Sequence, residues 1–248
     1  YSDLDSFIHK LDPRTKFLSS LAFILMVMLT PANNWQTFVF YLFLISVLFL
    51  ISKLPLLYVL KRSLVVLPFV LMIALFIPFF KEGEVAGSYN FWLWQVSVTQ
   101  SGLLILANVV AKAWLCIFSL ILLSATTKLT DLLKGLQQLG IPRVIILILS
   151  FMYRYIFVLV DEMMRMRQAR DSRNFGGSRL YQLKTIGNMI GTLFIRSYER
   201  GERVYAAMLS RGFDDKVRTL HQLAFRHSDA YFGAVLCLLL VLGAIVWW

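Results

Sequence analysis

Five apolar runs leave this chain little choice of solvent. They cover residues 17–29, 35–51, 64–80, 101–125 (broken only by Lys112) and 230–248. Most approach the roughly 20 residues that a helix needs to cross the hydrocarbon core of a bilayer. Only 16% of the 248 residues are charged and 58% are hydrophobic, whereas a soluble domain is nearer about 25% charged. So much apolar surface needs a second apolar phase, and lipid supplies one. The net charge of +11 is unevenly placed: 17 of the 25 Lys and Arg residues lie between Lys128 and Arg226. The expectation is an all-α membrane protein in three parts. Residues 1–125 form about four spans, residues 126–228 a basic coupling-helix domain at the cytoplasmic surface, and residues 229–248 a fifth span.

Charge around the spans sets the expected orientation. The segment 53–63 carries Lys53, Lys61 and Arg62, while 81–100 carries Lys81, Glu82, Glu84 and two Trp residues. Basic loops stay inside, which places the N-terminus and the first loop in the cytoplasm. Asp12 is a suitable N-cap and Pro13 a suitable first helical residue. Arg14 and Lys16 oppose the dipole of that helix and are expected among headgroups. A lysine at the depth of Lys112 costs roughly 3 kcal/mol on insertion scales, so it should face a partner or a watery groove, or snorkel.

The basic part reads as three helices. Leu129, Leu132, Leu133, Leu136 and Leu139 recur at helical spacing, and Gly140 and Pro142 end one helix and start the next. Residues 144–160 are apolar apart from Ser150 and Arg154. If they spanned, Arg165, Arg167, Arg170, Arg173 and Arg179 would lie outside, against the positive-inside bias. A helix buried against protein or lying at the interface is expected instead. The third helix covers about 181–210, with Gly187 and Gly191 as a small-xxx-small pair.

The last two helices end alike, in Ser172-Arg173-Asn174-Phe175 and in Ser210-Arg211-Gly212-Phe213. Gly, and next to it Asn, suits a left-handed C-terminal cap. An arginine one position earlier complements the negative helix end, and a Phe follows. Two ordinary helix stops would look similar. Two matching tips on adjacent helices also suit the plugging of two related sockets, since a guanidinium directs several hydrogen bonds to carboxylates and carbonyls. A second register, Ala169-Arg170-Asp171, competes at the first tip; Arg173 is preferred because Phe175 then matches Phe213.

These residues resemble a family. Leu11-Asp12-Pro13-Arg14-Thr15-Lys16 is similar to the N-terminal signature of the T components of energy-coupling factor transporters (the EcfT/CbiQ family). Residues 126–143, Tyr153-Arg154-Tyr155 and Asp161-Glu162 resemble the coupling segments that follow. The run from Arg196 to Phe213 looks most like the cobalt-type component, CbiQ. The two tips resemble the family's paired Ala-Arg-Gly motifs, with Ser172 and Ser210 in place of Ala and Asn174 in place of the first Gly.

The resemblance implies a non-catalytic scaffold in a bacterial or archaeal cytoplasmic membrane. Ser172, Arg173, Asn174 and Phe175, and Ser210, Arg211, Gly212 and Phe213, would dock two cytoplasmic ABC ATPase subunits. A membrane-embedded substrate-capture subunit would follow their motion, with a small auxiliary membrane subunit as an optional addition. The cargo implied is a divalent metal ion, cobalt or else nickel. A vitamin importer is the rival within transport, and an intramembrane lipid-modifying enzyme the rival outside it.

Catalytic and cofactor signatures are missing. No Gly-x-x-x-x-Gly-Lys-Ser/Thr loop occurs, so ATP hydrolysis is expected from partners. His9, His221 and His227 lack i,i+4 His or Cys partners, so no metal site is expected and the rings should face solvent or headgroups. Cys116 and Cys237 sit in apolar runs and read as buried thiols. No cofactor and no nucleic-acid partner is expected; the surroundings are lipid.

Overall fold

The computed structural model describes residues 6, 8–31, 34–76, 85–91, 94–173, 179–214 and 227–247. The elements in chain order are α1 (Pro13–Leu29), α2 (Trp35–Ser52), α3 (Leu56–Ala74), β1 (Val85–Phe91), β2 (Trp94–Thr99), α4 (Gln100–Thr126), α5 (Leu129–Gln138), α6 (Arg143–Ser172), α7 (Arg179–Leu209) and α8 (His227–Trp247). The all-α membrane class holds. The exception among the described residues is an antiparallel ribbon, β1 with β2, with an irregularity between Val85 and Gly87. It falls where a plain loop was expected. The alternation of Tyr89, Phe91, Trp94, Val96 and Val98 is a period-two pattern of strand-favouring residues.

The chain divides into two compact units, 1–135 with 223–248, and 136–222. In the first, α4 packs against α1, α2 and α3, and α8 packs against α1 and α2. The core they share includes Phe23, Val27, Tyr41, Ile45, Leu115, Ile121 and Leu240. A Cβ on Gly243 of α8 would lie 2.8 Å from Phe40 Cε1, so the missing side chain is what lets α8 approach α2. In the second unit α6 packs against α7. Among its described residues only Ile146 is buried.

Several expectations shift. α2 ends at Ser52, with Lys53 left-handed at φ 55°, and α3 starts at Leu56. Lys61 and Arg62 therefore lie on a helix, not in an eleven-residue loop, and the connection is Lys53 to Pro55. Of the three helices expected in the basic part, α5 has only ten residues, whereas α6 and α7 have 30 and 31. α6 is one continuous helix of 30 residues. By length and composition α2, α4 and α6 are able to cross a membrane. Only 6% of the most apolar window of α6 is buried within the chain, so residues 144–160 are not packed into this protein's own core. Cys237 is exposed and Cys116 half-buried, because a helix that faces lipid turns part of its apolar side outward.

Lys112 finds a partner. Its Nζ donates to Met28 O at 2.9 Å, one of the last carbonyls of α1, which have no partner inside the helix. A cation there also complements the negative helix end.

Candidate functional site

The start of α1 is a polar knot. Asp12 Oδ1 accepts from the Arg14 N–H at 2.9 Å, and Pro13 takes the first helical position. The Asp12 N–H donates to Asp229 Oδ1 at 2.9 Å, and the Asp229 residue is 1% exposed. Lys16 is buried rather than set among headgroups. Its ammonium donates to His9 O at 3.0 Å and to Thr126 O at 3.1 Å. Thr126 is the last residue of α4, so the lysine caps a second helix while standing in the first turn of its own. Burial lowers its pKa from 10.5 to about 8, against the pull of Asp131, Asp229 and Asp12. Gly135 of α5 sits 3.4 Å from Pro13 Cβ, measured from a Cβ built on the glycine. The knot thus binds the beginnings of α1 and α8 and the end of α4 where the chain leaves the first unit. His9 is half-buried beside it, with Ser6 Oγ 2.6 Å from its Nδ1, so this ring does not face open solvent. His227 is exposed at the head of α8, and His221 lies outside the described residues. Among the described residues no cluster of His, Cys, Asp and Glu is set to hold a metal ion.

The second unit carries the tips. α7 ends as the sequence suggests. The Phe213 N–H donates to Met208 O at 3.1 Å and the Gly212 N–H to Leu209 O at 3.0 Å, with Gly212 at φ 74°. That pair of bonds is the Schellman arrangement. Ser210 Oγ donates back to Ala207 O at 3.0 Å. Arg211 is exposed and Phe213 half-buried.

At the end of α6, Ser172 Oγ donates to Gln168 O at 2.9 Å. Arg173 follows at φ −83° and ψ −2° with its N–H on Arg170 O. Asn174 and Phe175 lie outside the described residues, so the first cap is described as far as Arg173. The two registers at this tip differ in how their arginines are engaged. Arg170 is tied to Asp171 Oδ1 through Nε at 3.0 Å and Nη2 at 2.8 Å. Arg173 and Arg211 are exposed, and neither forms an ion pair with any described residue. Beside Arg173 an open polar groove runs between α6 and α7, lined also by Met166, Tyr181, Thr185 and Asn188.

Sequence reasoning missed what joins the two helices. Glu162 of α6 accepts from Arg196 of α7 and, at 3.1 Å, from Arg165 on its own helix. The Arg196 hydrogen bond, and then that of Arg165, hold the Glu162 carboxyl below the usual carboxylate range. The signal was present as an acidic residue within a basic segment, but nothing in the spacing says that Arg196 meets it. From this clasp the tips stand about 15 Å along α6 and about 20 Å along α7, at 1.5 Å per residue.

Comparison with known proteins agrees with this architecture. A family model described as "CbiQ: Cobalt transport protein" matches residues 5–221. The energy-coupling factor transporter transmembrane protein EcfT of Listeria innocua is 30% identical over 257 residues, covering 98% of this chain and 94% of that protein. The protein of the same name from Clostridium kluyveri is 31% identical over 262 residues, again covering 98% and 94%. An uncharacterized protein of Methanocaldococcus jannaschii is 28% identical over 250 residues, covering 98% of this chain and 84% of its own length. A helical membrane bundle that continues into a pair of long basic helices, matched over nearly its whole length in this way, belongs to the EcfT/CbiQ family of transmembrane components of energy-coupling factor transporters.

Proposed function

We propose that this chain couples ATP hydrolysis by two cytoplasmic ABC ATPases to the movement of a membrane-embedded substrate-capture subunit, without catalysing a reaction itself. Its N-terminus and coupling helices lie on the cytoplasmic side of a bacterial or archaeal cytoplasmic membrane. Arg173 and Arg211, each with its Ser and Phe neighbours, enter one ATPase apiece. The observation that carries this reading is the pair of exposed arginines, uncommitted to any described carboxylate, at the ends of two helices joined by a charged clasp. When the ATPases close, the tips move and the helices carry that motion to whatever covers their apolar faces. Those faces, including Ile148, Met152, Phe157, Ile190 and Phe194, are exposed in the isolated chain, which suits α6 and α7 to lipid on one side and a capture subunit on another. Divalent cobalt is the cargo favoured by the family description, with nickel or a vitamin as the alternative.

The test replaces Arg173 and Arg211 by Ala, singly and together, and co-purifies the chain with its ATPases. Each single change should weaken assembly or transport-linked ATP hydrolysis, and the double change should abolish it. Coupled turnover that survives in the double variant would rule the tips out. Uptake of labelled cobalt, nickel and vitamins by cells holding the whole transporter decides the cargo.

A further inference from the structure

A seam on the first unit, formed by α3, α4 and α5, has the makings of a lipid seat. It is a trough of about 500 Å³ lined by Val66, Ile117, Leu120, Leu129 and Leu132, with Arg62 at its edge. Leu120 is 53% exposed and Val66 40%, so the trough is open to its surroundings. It lies near the start of α3 and at the end of α4. In an up-and-down arrangement these belong to the same end of the bundle, the end that carries Lys53, Lys61 and Arg62.

Arg62 is aimed and underused. Its Nη1 donates to Tyr58 Oη, and the guanidinium lies 5.9 Å from the centre of the Tyr58 ring. No described carboxylate lies within ion-pair distance of it. A guanidinium has five N–H donors in a fixed fork, so most of its capacity is unclaimed while tyrosine fixes its direction. On the same wall Thr127 is 8% exposed, and its buried Oγ1 has no hydrogen-bond partner among the described residues. A buried hydroxyl without a partner is uncommon and calls for an acceptor. An apolar trough with a held cation at its rim and an unsatisfied donor in its wall fits one occupant by charge and shape. That occupant is amphipathic and anionic, with a chain for the trough, a phosphate for Arg62 and an ester or glycerol oxygen within reach of Thr127.

We infer that this seam binds an anionic phospholipid, with the phosphate on Arg62 and an acyl chain along Leu120 and Leu129. The helical segment α5, which starts at the trough, then rests partly on bound lipid, so headgroup charge bears on how firmly the chain holds it. This goes beyond the coupling role and does not depend on it.

The experiment purifies the assembled transporter from membranes containing phosphatidylglycerol and phosphatidylethanolamine. Native mass spectrometry then counts the phospholipid retained per chain. The wild type should keep phosphatidylglycerol in preference to phosphatidylethanolamine. Arg62→Gln should lower that retention about tenfold, the effect of losing one charge-assisted contact, and Arg62→Lys should keep part of it. Leu120→Trp, which fills the trough and spares the cation, should also lower it, whereas Lys53→Gln should not. Inorganic phosphate in excess should leave the lipid in place. Equal retention of the two lipids by the wild type, or unchanged retention in both Arg62→Gln and Leu120→Trp, would overturn the seat. Displacement by inorganic phosphate alone would reduce it to a plain anion site, and retention lost only with a partner subunit's departure would make the occupant a protein face.

Discussion

The two units solve opposite problems with similar residues. The first buries its aromatic and aliphatic side chains in one another and ties its polar ends into a knot around Lys16 and Asp229. The second buries Ile146 alone among its described residues and joins its two helices through an exposed clasp at Glu162. Buried, hydrogen-bonded charges are expensive to disturb, because removing one partner strands the other. Exposed pairs contribute little to stability. The first unit is therefore built to stay fixed. The second keeps its apolar side chains exposed and its charges on the surface, which suits the proposed role of a part completed and moved by other molecules.

That contrast is open to attack. Asp229→Ala should lower the stability of the purified chain by about 3–5 kcal/mol, and Lys16→Met by about 1–3 kcal/mol through the two carbonyls it leaves unpaired, read as thermal unfolding in detergent. A variant of either kind that melts like the wild type would mean the knot is decoration. Gly243→Ala should cost about 1–3 kcal/mol through the clash with Phe40, a packing effect confined to the first unit. Lys16 also predicts a pH dependence of known sign. It loses its proton near 8 in the folded chain and near its ordinary 10.5 in the unfolded one. The unfolded state therefore binds more protons between these values, and stability should rise with pH across that window by at most about 1.4 kcal/mol per unit. Lys16→Met should remove the rise.

Smaller effects are expected in the second unit. Gly187 and Gly191 have nothing among the described residues within 4 Å of a built Cβ, so Ala at either should stabilise the isolated helix by about 0.5–1 kcal/mol. If the same changes impair assembly of the whole transporter, the pair is a contact face for a partner. Least of all should Glu162→Gln move the melting curve. Its expected effect is on coupling, with several-fold less substrate moved per ATP hydrolysed, and the exchange Glu162→Arg with Arg196→Glu should restore it. A melting shift as large as that of Asp229→Ala would erase the distinction between the units.

Much of this architecture can be read before any coordinates. The Asp12-Pro13 start of α1 and the Gly212 stop of α7 are local devices, legible because each is satisfied within a few residues of itself. The apolar runs are legible because lipid imposes one length on all of them. What escaped is relational. Lys61 and Arg62 read as loop because charge marks a boundary on average, yet a helix near a headgroup layer carries charges on its outer side without ending. Lys16 looked like a headgroup cation, because its acceptor, the Thr126 carbonyl, lies 110 residues away. Asp229 meets Asp12 across 217 residues, and the Glu162 clasp reaches 34 residues along the chain. The tip arginines were legible as a repeated pattern; that Arg170 is engaged by Asp171 while Arg173 is not was visible only in three dimensions.

The bond between the Asp12 amide and Asp229 spans 217 residues, and this has a consequence for biogenesis. The first turn of α1 is finished by a residue that is made 217 positions later. Until α8 is inserted the Asp12 amide lacks its acceptor, although Lys16 already has the His9 and Thr126 carbonyls. The helices α6 and α7 are therefore synthesised before that bond can form. A ribosome that stalls before residue 229 leaves a chain in which α6 and α7 are complete while the buried Asp12 amide has no acceptor.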